Sequence, residues 1–116
     1  MAELTLIKLK RLITECDKHQ QRIESAYQKI EKKLPLTPQS YFLLNEEDIS
    51  HIDQFLFRFS KLQDAIGQRF FKAILELLEE EVEGIPFIDI LNKLEKLNLI
   101  TSIEQWQRLR EIRNAI

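Results

Sequence analysis

Hydrophobic residues in the first third of the chain recur at alternating steps of three and four positions. This spacing places one stripe along a single face of a helix. The positions on the stripe are Leu6, Leu9, Ile13, Cys16, Gln20, Ile23, Tyr27, Ile30 and Leu34. The pattern predicts one helix over 4–34 with this stripe buried, ended by Pro35 and Pro38. Gln20, the polar residue of the stripe, either fixes the register against a partner helix or lies at the edge of the bundle.

Helical spacing continues through the rest of the chain. Asn45 followed by three acidic residues is typical of a helix N-terminus, and the next apolar face is expected to kink at Gly67. Gly84 and Pro86 then predict the end of this helix and the start of a short helix over 85–97. Thr101 and Glu104 form a capping-box pattern before a final helix. The residues expected to face inward on the short helix are Phe87, Ile88, Leu91 and Leu94.

No strand pattern or internal repeat interrupts this helical spacing. Four or five helices joined by short loops pack as antiparallel neighbours. The sequence therefore predicts an all-α fold, a single domain over 1–116 built as an antiparallel four- to five-helix up-and-down bundle. At 44% hydrophobic residues the chain can bury a core, which excludes a disordered tail.

Charge and cysteine usage restrict the possible partners and cellular location. The net charge of −2 provides no global electrostatic footprint for nucleic acid, so any RNA contact must be local. Cys16, the single cysteine, permits neither an internal disulfide nor a cysteine zinc cage, and its place on the apolar stripe predicts a buried thiol. No apolar run approaches the roughly 20 residues of a membrane span, and no signal peptide is recognised. We expect a cytoplasmic protein without membrane contact.

Common catalytic and metal-binding motifs are absent from the sequence. There is no glycine-rich phosphate loop, no HExxH and no CxxC motif. His19 and His51 are isolated from other metal ligands at helical spacing, so both are predicted to be solvated. We expect no metal site and no cofactor.

The final helix carries arginines that its own acidic residues do not all pair. Arg108 has Glu104 four positions earlier as a partner, whereas Arg110 and Arg113 have no acid three or four positions away. Arg110 is predicted to contact Trp106 through a cation–π interaction. Arg113 lies beside the apolar face, where its charge needs an anion. That anion is either a glutamate of another helix or a ligand.

The stretch 109–116, Leu-Arg-Glu-Ile-Arg-Asn-Ala-Ile, resembles the start of the signature that HEPN proteins carry on their terminal helix. In that family an arginine, commonly followed by Asn or another polar residue, precedes a histidine by a few positions. In the HepT-like branch a tyrosine follows the histidine. The stretches 57–65 and 87–97 also resemble that branch, so the resemblance covers roughly the second half of the chain. The histidine would fall beyond Ile116, so this sequence holds only Arg113 and Asn114 of the signature.

This resemblance implies a HepT-like toxin of a toxin–antitoxin pair. Such a protein is a homodimeric, metal-independent endoribonuclease that a nucleotidyltransferase (MNT) antitoxin neutralises. The 2′-OH of the RNA attacks the adjacent phosphate, and the histidine assists proton transfer. Arg113 and Asn114 would be catalytic residues, the first stabilising charge on the phosphate and the second orienting the histidine or donating to the phosphate. Arg110 would bind RNA.

Two other functions remain open from the sequence. The chain could be a non-catalytic substrate-binding or partner subunit of a nucleotidyltransferase. It could also be a structural dimerisation module whose arginines form only salt bridges. The apolar residues of the final helix, Trp106, Leu109 and Ile116, predict a two-fold interface that includes this helix.

Overall fold

The computed structural model describes residues 2–116, and this part of the chain is helical with no strand. The α-helices are α1 (Ala2–Ile30), α2 (Pro38–Tyr41), α3 (Glu46–Asp64), α4 (Phe71–Leu77), α5 (Phe87–Lys96) and α6 (Ile103–Ala115). A 3₁₀ turn, Glu31–Lys33, follows α1, and a π-helical segment, Ala65–Phe70, joins α3 to α4. The predicted all-α bundle is confirmed. Across residues 2–116, no helix has both the length and the apolar character needed to cross a membrane.

Helix α1 packs antiparallel along the continuous helix formed by α3, the π-helical segment and α4. Tyr27 of α1 meets Phe55 of α3, with ring centroids 6.2 Å apart. Glu15, earlier on α1, forms an ion pair with Arg69, which is later on the partner helix. The two helices therefore run in opposite directions. The molecule is elongated, with principal dimensions of 52 × 27 × 22 Å.

The core lies toward one end of this long pair, where α5 and α6 pack against α4. Its fully buried large side chains are Leu75, Ile90, Leu91 and Leu94. Half-buried Trp106 of α6 packs against this cluster, which fixes α6 beside the end of α3. Ile90 is buried whereas Ile88 is exposed, so the predicted inward position at Ile88 is wrong. The inner face of α5 is rotated toward Ile90 because that face meets α4.

The predicted burial of the whole α1 stripe is wrong. Leu9 and Ile30 are buried, but other stripe residues are exposed: Leu6, Ile13, Tyr27 and Leu34. Along most of its length α1 has the α3–α4 helix as its main partner, so only the narrow face toward that partner is covered. Gln20 is exposed and donates to Glu24 on the same helix at 3.3 Å, which places it at the edge of the bundle.

Helix ends follow side-chain capping more closely than hydrophobic spacing. The α-helical part of α1 ends at Ile30, before the predicted end at 34. Asn45 caps α3 as predicted, because its Oδ1 accepts from the backbone N–H of Asp48 at 2.8 Å. The cap of α6 is Ser102 rather than the predicted Thr101: the Ser102 Oγ accepts from the backbone N–H of Gln105 at 3.1 Å.

Candidate functional site

Arg113 and Asp64 form a two-bond ion pair between α6 and the end of α3. Arg113 donates through Nε to Oδ1 of Asp64 at 2.9 Å and through Nη2 to Oδ2 at 3.0 Å. These hydrogen bonds hold the pKa of the Asp64 carboxyl below its ordinary value. The side chains remain 36% exposed for Arg113 and 30% exposed for Asp64. The tertiary salt bridge that the sequence allowed is therefore present, but it is made with an aspartate and remains open to solvent.

Arg110, one turn earlier on α6, lies over the ring of Phe87. The guanidinium carbon is 4.2 Å from the ring centroid. The predicted contact between Arg110 and Trp106 is therefore wrong. Trp106 instead packs edge-on against Phe71, with centroids 4.8 Å apart and an interplanar angle of 76°. The large apolar indole faces the core, and this leaves Arg110 to extend toward the start of α5.

Gly67 allows the Phe87 ring to lie close against the π-helical segment. A Cβ added at Gly67 would lie 3.1 Å from Cε2 of Phe87 and 3.5 Å from Cζ. The first distance is shorter than ordinary van der Waals contact, so a side chain at this position would displace the ring. Gly67 marks the predicted irregularity in this helix, which takes the form of a π-helical segment. Gly67 and Phe87 together form the support beneath Arg110.

These side chains line one cleft between the α3–α4 helix, the start of α5, and α6. Its volume is about 220 Å³. Its lining residues are Gln63, Asp64, Gly67, Gln68, Phe87, Arg110, Arg113 and Asn114. The three residues predicted from the sequence, Arg110, Arg113 and Asn114, therefore line the same cavity, with Asn114 exposed. A cleft of this kind presents guanidinium and amide donors to an anion.

A second hollow of about 230 Å³ adjoins this cleft on the far side of Arg110. The two share four lining residues, so they form one groove that continues toward α4. The shared residues are Gly67, Gln68, Phe87 and Arg110. The second hollow adds Lys72 and has no acidic residue in its lining. The groove thus carries cationic side chains along its length and one carboxylate, Asp64, at one end.

Sequence reasoning did not single out Asp64, although this residue is the partner of Arg113. The sequence offered no clear signal for it: the residues three and four positions from Asp64 are Ser60, Lys61, Gly67 and Gln68, which form a polar face of the helix. The unpaired arginines of α6 were candidate partners for any acidic residue of another helix, but helical spacing alone does not specify which helices meet.

Both histidines lie in less exposed positions than the sequence predicted. His19 is buried at 9% exposure, and its Nδ1 is 3.2 Å from Nη1 of Arg58. His51 is half-buried, with its Nε2 3.7 Å from Glu47. The prediction that both are solvated is wrong because α1 and α3 cover each other along this face.

Cys16 is half-buried and lines a separate apolar hollow that also contains Phe70 and Trp106. Burial raises the pKa of its thiol, which keeps it protonated at neutral pH. In the described part of the chain, no three His, Cys, Asp or Glu side chains are grouped to hold a metal ion.

Comparison of the chain with protein-family models, curated proteins and solved structures finds no match.

Proposed function

We propose that the protein is a metal-independent endoribonuclease, a HepT-like HEPN toxin, and that RNA binds in the cleft beside Arg113. The observation that carries this proposal is the open Arg113–Asp64 pair. Two hydrogen bonds fix the guanidinium plane, yet the side chain keeps a third of its surface exposed. The pair also lines a cleft of about 220 Å³, which gives an anionic ligand access to the guanidinium. The sequence resemblance independently assigns phosphate binding to the same arginine.

Arg113 stabilises the negative charge that builds on the phosphate when the 2′-OH attacks. Its bonds to Asp64 use Nε and Nη2, which leaves Nη1 outside the pair. Asp64 orients the guanidinium, and Asn114 at the same wall supplies an amide donor. Preorganised donors of this kind stabilise a transition state without reorganising during the reaction. The resemblance assigns proton transfer to a histidine beyond Ile116, and the reaction takes place in the cytoplasm.

A homodimer that includes α6 is part of the proposal. Ile112 and Ile116 each expose 54% of their surface, whereas Trp106 and Leu109 are half-buried within the protomer. Exposed isoleucines four positions apart at the end of α6 favour burial against another protein surface. A two-fold axis beside α6 would bring two copies of Arg113 near each other, and thus two sets of donors to one RNA strand.

A nucleotidyltransferase antitoxin is the partner that we propose for another surface. Phe42 and Leu43, between α2 and α3, are 85% and 84% exposed, and Tyr41 beside them is also exposed. Adjacent large apolar side chains of this exposure are typical of protein-binding sites. The resemblance supplies the class of the partner. If the protein binds this partner and RNA but cleaves nothing, it is the non-catalytic subunit instead.

The test is RNA cleavage by the full-length gene product carrying Arg113→Ala, with Arg108→Ala as the matched control. Arg108 is on the same helix but exposed, and it pairs only with Glu104 at 4.0 Å. We expect Arg113→Ala to abolish cleavage and relieve growth arrest, with only a modest fall in melting temperature, because the lost pair with Asp64 is partly open to solvent. Arg113→Lys should rescue poorly because an ammonium lacks the planar fork of donors. A large loss of stability, with cleavage retained in the folded fraction, would show that Arg113 is only structural.

A further inference from the structure

The groove beside the candidate site has a cationic end that the proposed reaction at Arg113 does not use. Lys72, at the start of α4, is half-buried and lines the second hollow together with Arg110. Acidic residues are absent from the lining of this hollow. Among residues 2–116, Lys72 has no ion-pair partner. Glu76 lies four positions later on α4, yet the two side chains form no ion pair, and a partly desolvated cation that is not paired favours an anionic ligand.

Arg110 lines both hollows. The Phe87 ring lies against one side of its guanidinium, with the guanidinium carbon 4.2 Å from the ring centroid. A guanidinium plane held on an aromatic ring is a suitable surface for stacking an unpaired nucleobase. Residues one turn apart on a helix have Cβ atoms about 5–6 Å apart. Arg113 and Arg110 are therefore near enough on α6 for neighbouring nucleotides of one strand to contact both.

We propose that the hollow formed by Lys72, Gln68 and Arg110 is a second subsite, which binds the phosphate next to the one held by Arg113. The intervening base stacks on the outer face of Arg110. This inference rests on the proposed function, and it names the substrate class as single-stranded RNA with at least two consecutive phosphates. A base-paired strand does not fit the arrangement, because its bases are not free to stack on Arg110.

The test is binding of a single-stranded RNA octamer with 2′-fluoro groups, which block cleavage, to the full-length protein. Affinity is measured by fluorescence anisotropy over a series of salt concentrations. Lys72→Ala should weaken binding several-fold and reduce the slope of log affinity against log salt by about 0.7, the value for one lost phosphate contact on a single strand. Lys29→Ala, an exposed lysine at the far end of α1, should change neither quantity. If Lys72→Ala leaves affinity and slope unchanged, the phosphate subsite is excluded.

A second arm tests the stacked base. Arg110→Lys keeps the charge and removes the flat surface, so it should weaken binding of the octamer several-fold but leave binding of an abasic ribose-phosphate octamer unchanged. Equal losses on both strands would exclude stacking on Arg110. Cleavage of ordinary RNA, run in parallel, separates the two proposals. If cleavage depends on Arg113 while Lys72→Ala has no effect on binding, only the subsite fails. If the wild-type protein neither binds nor cleaves RNA, both proposals fail.

Discussion

Arg113 and Asp64 are joined by two parallel hydrogen bonds of 2.9 and 3.0 Å, although 49 positions separate them in the sequence. The pair ties the last turn of α6 to the end of α3 and orients one guanidinium at the wall of a cleft. The same carboxylate places a negative charge beside the proposed phosphate site. Asp64 therefore has two opposing effects on RNA, since it orients Arg113 and repels the substrate.

Replacing Asp64 should separate these two effects. In Asp64→Ala the negative charge is lost, so RNA affinity should rise roughly three- to tenfold at low salt, and less at high salt. The rate of cleavage at saturating RNA should fall, because Arg113 is no longer fixed. Single-turnover kinetics over a range of protein concentrations measure both quantities. Weaker RNA binding in Asp64→Ala would contradict the proposed phosphate site.

Stability should decrease in acid, because three paired carboxyls have pKa values below their ordinary range. Hydrogen bonds from Arg69, Lys33 and Arg113 cause these shifts in Glu15, Asp48 and Asp64 respectively. Their ordinary values are about 3.9 for Asp and 4.3 for Glu. A carboxyl with a lowered folded-state pKa contributes its full stability above the unfolded value and loses it as pH falls through the folded value.

These three carboxyls should therefore leave the melting temperature nearly constant between about pH 7 and 5. At pH values below about 4 the melting temperature should decrease. Asp64→Asn keeps the shape of the side chain but cannot titrate, so its melting temperature should fall less steeply in acid. Thermal melts followed by circular dichroism at closely spaced pH values make the comparison. If the melting temperature of Asp64→Asn falls in acid as steeply as that of the wild type, the Arg113–Asp64 pair does not contribute to the acid destabilisation.

Gly67→Ala tests the support beneath Arg110. The new Cβ would lie 3.1 Å from the Phe87 ring, so the ring must move by a few tenths of an ångström. Alanine also favours helix over glycine by about 1 kcal/mol, which offsets this strain. We expect a nearly unchanged melting temperature and weaker RNA binding.

Gly84→Ala is the matched control for this prediction. Gly84 has φ of +72° and open space around its Cβ position, so alanine there is strained by about 1–2 kcal/mol but contacts nothing. It should lower the melting temperature and leave RNA affinity unchanged. If both variants reduce RNA affinity in proportion to their loss of stability, the Phe87 platform has no specific role.

Ile112→Glu tests the proposed dimer. A charge in a buried two-fold interface is placed opposite its own copy, so the variant should be monomeric where the wild type is dimeric. Light scattering at micromolar concentration measures the mass. Ile49→Glu, an exposed isoleucine at the start of α3, is the control and should remain dimeric. A monomeric wild type would contradict the dimer.

The sequence predicted the helices well, but it did not predict their neighbours. Apolar spacing and the Asn45 cap depend on residues within one turn, so both were visible in the chain. The exposure of Ile13 depends on the helices that surround α1, and spacing on α1 carries no such information. The same limit explains the wrong partner for Arg110: Phe87 reaches it from another helix, past Gly67. For the same reason, the sequence named Arg113 as a candidate site residue but not Asp64, its partner from another helix.

The most direct measurement of the central proposal is cleavage of two RNAs by the full-length protein in the presence of a metal chelator. One RNA is unmodified, and the other has a single 2′-deoxy nucleotide at the position where the first is cut. Because the 2′-OH is the proposed nucleophile, we expect the unmodified RNA to yield a 2′,3′-cyclic phosphate and the modified RNA to remain uncut at that position. No cleavage of the unmodified RNA, or cleavage of the 2′-deoxy RNA at the same position, would contradict the proposal.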